Sequence, residues 1–276
     1  MHELLSLGAQ VRVTHRAGTT SDLSALRASG AELVVADLAD SGSLERACQG
    51  IHVVVSGVQG LSDVIVDGQT RLLRAAELAG GTRMVPSDYA HDFFKTPPGA
   101  NRNLDLRRDF NGVLDASKVR GTSVLCGAFM DLLAMGMIGP DPRTHVYKVW
   151  GDPDQRYDFT WTDDVARYVA AVALDDEAGR FVRVASDTRS ARELAAIFGE
   201  VRGAAVTIES AGSLEELGML IARMQAADPA PTNVFPVWQQ MQYGRDMASG
   251  KGVLTPLDNA RYPDIRPFDV PGLLRR

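Results

Sequence analysis

The chain has 276 residues, of which 45% are hydrophobic and 23% charged, and its net charge is −6 with acids and bases interspersed. That length and apolar content suit one large α/β domain with a smaller appendage, and the absence of a clustered basic face argues against a nucleic-acid scaffold. Cys48 and Cys126 lie far apart, the five histidines are scattered, and no apolar run reaches membrane-spanning length. The pattern therefore predicts no metal site, no membrane span and a reducing, cytoplasmic setting.

In chain order, "HELLSLGAQVRVTHR" reads as the end of an amphipathic helix, a glycine stop, and a strand that finishes in Arg16. Residues 20–30 predict a short helix with a Thr/Ser start and a Gly stop. "AELVVADLAD" is a strand that ends at Asp37, 41–50 a capped helix, and "IHVVVSGVQG" a buried strand running into a glycine turn. Residues 61–81 predict a long helix and "TRMVPSD" a strand. A Pro/Asn-rich loop, a helix over 104–117 and a strand over 121–129 follow. This alternation is the signature of a parallel sheet built from βαβ units. Beyond it, 145–160 predicts a β-hairpin, followed by a helix that Thr162 and Asp163 are placed to cap. A strand over 180–186, helices over 190–201, 213–228 and 235–249, and a proline-rich tail complete the chain. The division expected is 1–140 for the main domain and 141–276 for a smaller, partly interleaved part.

Ligands of a doubly wound sheet sit where strands end at their carboxyl side, so the residues just past each strand carry the functional reading. Arg16 is placed to meet the 2′-phosphate of NADP, where an acid would bind the free ribose of NAD. A solvated strand-end arginine is the alternative. Asp37 is placed for the adenine amino group, with the backbone of Leu38 beside it. It reads equally well as a turn residue. Ser56, Gly57, Val58 and Gln59 are small or polar where a ribose and phosphates approach the backbone. Pro86, Ser87, Asp88 and Tyr89 form a fixed polar loop, with an Asx turn at Asp88 as the plain structural reading. Arg102, Arg107 and Arg108 put cations in the first turns of a helix, against its dipole. There is no GxSxG elbow and no YxxxK dyad, and the spacing of His91 and Lys95 reads as coincidence.

Taken in order, "QVRVTHR", "GAELVVADLADSGSLERACQGIHVVVSGV", "RLLRAAELAGGTRMVPSDY" and "GTSVLCGAFMDLL" resemble the NmrA-like and isoflavone-reductase-like atypical short-chain dehydrogenases. The resemblance runs from residue 1 to about 175. It implies a Rossmann-type doubly wound parallel sheet that binds NADP(H), with a smaller α/β substrate part. It also implies either an NADPH-dependent reductase of a small aromatic or carbonyl-type substrate, or a non-catalytic dinucleotide sensor acting through protein partners. In the reductase picture Arg16 and Asp37 read the adenosine end, and Ser56–Gln59 line the ribose and phosphates. Pro86–Asp88 frame the nicotinamide, Tyr89, Arg107 and Arg108 are the catalytic candidates, and Phe129, Met130 and Trp238 form the apolar substrate wall.

Two departures stand out. Reductases of the isoflavone type carry a catalytic lysine where Arg107 or Arg108 falls here, and a guanidinium is a poor general acid or base. The family's first strand and GxxGxxG loop, which seats a pyrophosphate on a helix N-terminus, are also not found in this sequence. Without that central strand, "QVRVTH" and "HVVVSG" are each expected to show an unpaired edge. A longer protein, in which a strand and glycine loop precede Met1, is expected to supply them.

Overall fold

A computed structural model describes residues 1–20, 22–229 and 231–276. In chain order the elements are α1 (His2–Ser6), β1 (Arg12–His15), α2 (Ser24–Ala28), β2 (Glu32–Val35), α3 (Ser41–Cys48), β3 (Val53–Val55), α4 (Gln69–Leu78) entered through a π-turn segment at Asp63–Gly68, and β4 (Arg83–Val85). Next come α5 (Arg102–Asp115), β5 (Arg120–Gly121), β6 (Ser123–Leu125), β7 (Ala128–Phe129), α6 (Asp131–Ala134), β8 (Val146–Trp150), β9 (Arg156–Thr160) and α7 (Thr162–Leu174). β10 (Phe181–Arg183), β11 (Asp187–Ser190), α8 (Ala191–Arg202), β12 (Thr207–Gly212), α9 (Leu214–Ala227), α10 (Val237–Ala248) and α11 (Val270–Leu274) complete the order. No described helix is long and apolar enough to cross a membrane.

The chain forms two compact units. One comprises residues 1–88, 106–124 and 166–182; the other comprises 89–105, 125–165 and 183–276. The chain thus passes back and forth between the units.

In the first unit all strand pairings are parallel. β1 pairs with β2 from Arg12↔Glu32 to His15↔Val35. β4 lies between β3 and β5, with Val54↔Met84 and Arg83↔Arg120 in register. No ladder joins β1 to β3 among the described residues, so these strands form two separate parallel sheets. The core lies around Leu44, Ala47, Val54, Leu73, Met84, Phe110 and Leu114. β4 is buried at all three positions, as a strand covered on both faces must be. Its Arg83 is 3% exposed and ends the helix at Leu174 by donating to the carbonyls of Val172 (2.9 Å) and Ala173 (3.1 Å). Asp40 caps α3, its carboxylate accepting from the Gly42 amide at 3.0 Å. The Thr/Ser start expected for α2 includes Ser21, which lies outside the described residues. The Ser24 amide at the head of that helix donates to Asp22 Oδ1 at 2.8 Å.

In the second unit the hairpin expected over 145–160 does not form. β8 pairs parallel with β12, while β9 lies between antiparallel β11 and parallel β7. Each strand pairs elsewhere in the chain, so the "GDPDQ" turn joins strands of different sheets. α7 is not started by its own side chains alone: Asp131 Oδ2 accepts from both the Thr162 amide (3.0 Å) and its hydroxyl (2.6 Å). α8 and α9 each begin with the capping box their sequences show, Ser190/Glu193 and Ser213/Glu216.

The split sheet sets an order of opening. Amide hydrogen exchange read by mass spectrometry should show β1 and β3 exchanging about ten-fold or more faster than β4, whose ladders are complete on both sides. Equal protection of all three strands would contradict the separation of the two sheets.

Candidate functional site

The first unit carries two groups of polar residues, both at the carboxyl ends of its strands. The first is an open cleft of about 740 Å³ past β1 and β2, lined by Arg16, Thr19, Thr20, Asp37, Ser43 and Arg46 among others. Its floor comes from a tight turn after β1. The Thr19 amide and hydroxyl both bond to the Arg16 carbonyl, at 3.2 and 2.7 Å, and Gly18 takes a left-handed φ of +73°. On the other wall the Asp37 amide donates to Ser43 Oγ (3.0 Å), and Asp37 Oδ1 accepts from the Ala39 amide (2.8 Å). Asp37 thus holds its turn while staying exposed in the cleft. The Leu38 carbonyl accepts from Arg71 Nε at 2.6 Å, and its side chain packs on the core.

Arg46 was not singled out from the sequence, where 41–50 read only as a capped helix. Its signal was available in retrospect. Positions 43 and 46 share a helix face, so a Ser43 that braces Asp37 brings Arg46 to the same side. Two arginines, Arg16 and Arg46, and two aspartates, Asp37 and Asp40, thus line the one cleft.

The second group gathers past β3 and β4. The Ser87 hydroxyl donates to the Val58 carbonyl (2.7 Å), and the Ser87 amide donates to Gln69 Oε1 (3.1 Å). Gln69, also missed from sequence, is fully buried and ties α4 to this loop. Arg107, 5% exposed, donates through Nε to the Ser87 carbonyl (2.9 Å) and through Nη2 to Gln59 Oε1 (3.3 Å). Ser56 and Pro86 are buried between these partners, and the Ser56 amide extends the β3–β4 ladder to the Val85 carbonyl at 2.9 Å. A Cβ added at Gly57 would meet nothing within 4 Å, so the space beside that backbone is open. Arg108 is half-buried one position further along α5.

Asp88 lies deeper than the sequence reading placed it, at 0% exposure. Its Oδ2 accepts from Ser123 Oγ (2.6 Å) and Asn111 Nδ2 (2.8 Å), while Oδ1 has no hydrogen-bond partner. Burial pushes its carboxyl above the usual range, opposed by those two hydrogen bonds and by the charges of Arg107 and Arg180.

The remaining candidates belong to the second unit. Tyr89 and Phe129 are half-buried. Met130 is fully buried in a cluster with Leu133, Phe159 and Phe198, and Trp238 is 4% exposed beneath the guanidinium of Arg102, 4.8 Å from its ring centre. Of the three apolar residues assigned to a substrate wall, only Phe129 is thus partly open. Lys95 is committed to the carbonyls of Val253 and Thr255, both at 2.9 Å, and to Asp92 at 3.3 Å. His91 lies instead 3.7 Å from Asp246, so the His91–Lys95 spacing assembles no shared centre.

The NmrA-like family model matches residues 1–227 of the chain. A probable pinoresinol-lariciresinol reductase 3 of Arabidopsis thaliana is 29% identical over 170 residues, 57% of this chain and 53% of that protein. The chain therefore matches about half the length of that relative. A bifunctional pinoresinol-lariciresinol reductase of Linum perenne is 28% identical over 221 residues, 72% of this chain and 69% of that protein. Among solved structures, an isoflavone reductase superposes with a TM-score of 0.81 at 17% identity, covering 99% of this chain and 94% of its own. A leucoanthocyanidin reductase–NADPH complex from Vitis vinifera gives 0.79 at 18%, covering 98% and 91%.

Neither cysteine is chemically available in this arrangement. Both are buried and free, with burial pushing Cys126 up to about 12 and also raising Cys48, where the Arg12 charge opposes it. A thiol-reactive disulfide reagent at mildly alkaline pH should label neither in the folded protein and both in denaturant, because only the thiolate reacts. Rapid labelling of the folded chain would contradict these burials.

Proposed function

Because the chain belongs to the NmrA-like family, we propose that it is an NADPH-dependent reductase of a small aromatic or carbonyl-type substrate. The observation that carries this reading is the cleft past β1 and β2, where Arg16 and Arg46 stand together and an acid that would select the free ribose of NAD is replaced by a cation. The reductase names of the curated relatives and the NADPH held by a structural neighbour point the same way. The donor set fits the adenosine end of the dinucleotide: Arg16 and Arg46 for the 2′-phosphate, Asp37 for the adenine. Ser56–Gln59 would line the ribose and phosphates, and Pro86 and Ser87 would lie along the nicotinamide.

The bound dinucleotide supplies a hydride. What this chain adds is a fixed positive charge at Arg107, whose guanidinium is held by Ser87 and Gln59. Such a preorganised donor stabilises negative charge that develops on a substrate oxygen. Arg107 orients and stabilises but delivers no proton at neutral pH. The partner is therefore a small molecule, and two free thiols suit a reducing cytoplasmic setting. One observation favours a second reading, a dinucleotide sensor without turnover whose partner is another protein: the reacting position is held by an arginine that cannot act as an acid.

Cofactor fluorescence titration decides the first step. NADPH should bind more tightly than NADH, and Arg16→Ala should weaken NADPH by about ten-fold or more while leaving NADH within about two-fold, because charge-assisted bonds to a phosphate contribute about 1.5–3 kcal/mol. NADPH consumption with a panel of aromatic aldehydes, ketones and benzylic ethers then separates reductase from sensor. Tight NADPH binding without consumption of any panel member would leave the sensor. Equal affinity for both dinucleotides, unmoved by Arg16→Ala, would remove the cleft assignment.

A further inference from the structure

Asp88 and Asn111 form a connection that the reductase reading does not use. Asn111 stands one helical turn after Arg107 on α5, and its Nδ2 donates at 2.8 Å to both the Arg107 carbonyl and Asp88 Oδ2. Asp88 is joined through its own backbone to Ser87, whose carbonyl receives Arg107 Nε. The four residues close a loop: helix backbone, amide, carboxylate, strand-end carbonyl and back to the guanidinium. The far side is locked as well. Ser123 Oγ donates to Asp88 Oδ2, and Arg180 donates to Ser123 Oγ at 2.8 Å, to Asn111 Oδ1, and to Asp115 Oδ1 at 2.7 Å. Asp88 and Ser123 are buried at 0% exposure and Asn111 at 2%, while Arg180 is half-buried and Asp115 exposed at the rim.

We propose that Asp88 and Asn111 are positioning residues that fix the Arg107 guanidinium against the Ser87 carbonyl and Gln59. They do not themselves meet a ligand. The geometry fits this role because both donors to Asp88 converge on one oxygen. That oxygen ties the loop after β4 to α5 and β6 at once, so the register of Arg107 against Ser87 is set from three sides. In so far as it concerns turnover, the inference rests on the reductase reading.

A direct test follows the Arg107 Nε–H proton by NMR, with the resonance assigned from its loss in Arg107→Lys. In the wild-type chain it should be resolved and slow to exchange. Asp88→Ala should move it into the envelope of exposed arginines, whereas Asp88→Asn, whose one carbonyl oxygen can accept both donors, should retain it. Asn111→Ala asks the same question from the helix side if Asp88→Ala does not fold. In turnover with NADPH, Asp88→Ala and Arg107→Ala should each lower kcat about ten-fold with the dissociation constant for NADPH within about two-fold, and the double variant should lose no more than either alone, as residues acting through one another do. An unmoved Nε–H resonance in Asp88→Ala and Asn111→Ala, or fully additive losses, would overturn the inference. Absence of turnover in the wild-type chain would remove the reductase reading, and the resonance would still decide the positioning.

Discussion

A carboxyl group with no solvent exposure is the constraint around which the first unit is arranged. Burying an ionised carboxylate costs several kcal/mol unless hydrogen bonds and opposite charge replace its water. Asp88 receives two hydrogen bonds on one oxygen and lies in the field of Arg107 and Arg180. Those four partners come from α5, from β6 and from the segment after α7, which are distant in sequence. The loop after β4 therefore cannot adopt its polar, inward-turned form until the rest of the unit has folded around it. Ser87 and Arg107, which meet at 2.9 Å, inherit their placement from that requirement.

The divided sheet distributes order unevenly over the site. The group around Arg107 stands on β3, β4 and β5, with β4 fully interior. The cleft around Arg16 stands on β1 and β2 alone, and an isolated pair of strands is marginal without further pairing. Val35 is 53% exposed and Val55 36% exposed, at strand positions that a continuous parallel sheet would cover. Open edges of this kind seek a partner. The cleft past β1 and β2 thus depends on a weaker scaffold than the group around Arg107, although both sit at strand ends of the same unit.

The parallel architecture and the strand ends were legible in the sequence because local rules govern them. Period-2 and period-3.6 apolar patterns marked the elements, and the capped start of α3 was read the same way. Arg16, Asp37 and Ser87 were singled out because topology says where strand ends lie, and Arg107 because it opens a helix where the resemblance expects a lysine. What could not be read was any pairing made across the fold. The expected hairpin over 145–160 failed because β8 and β9 each have a distant partner. Asn111, Ser123 and Arg180 looked like ordinary helix and strand residues, since nothing local says that they converge on one carboxylate. Met130 and Trp238 carry the composition of a binding wall and the burial of a core.

The arginine at position 107 divides the chemistry of reduction into two requirements. An oxygen that gains negative charge needs a positive group held ready beside it, and then a proton. In the reductase reading Arg107 meets the first, and the double hold by Ser87 and Gln59 means that little reorganisation would be needed as charge develops. It cannot meet the second. Ser87 does not replace it, because its hydroxyl proton is already given to the Val58 carbonyl at 2.7 Å. Asp88 is screened from any ligand by its complete burial. In that reading neither Ser87 nor Asp88 is placed to give the proton, so it comes from outside this pair.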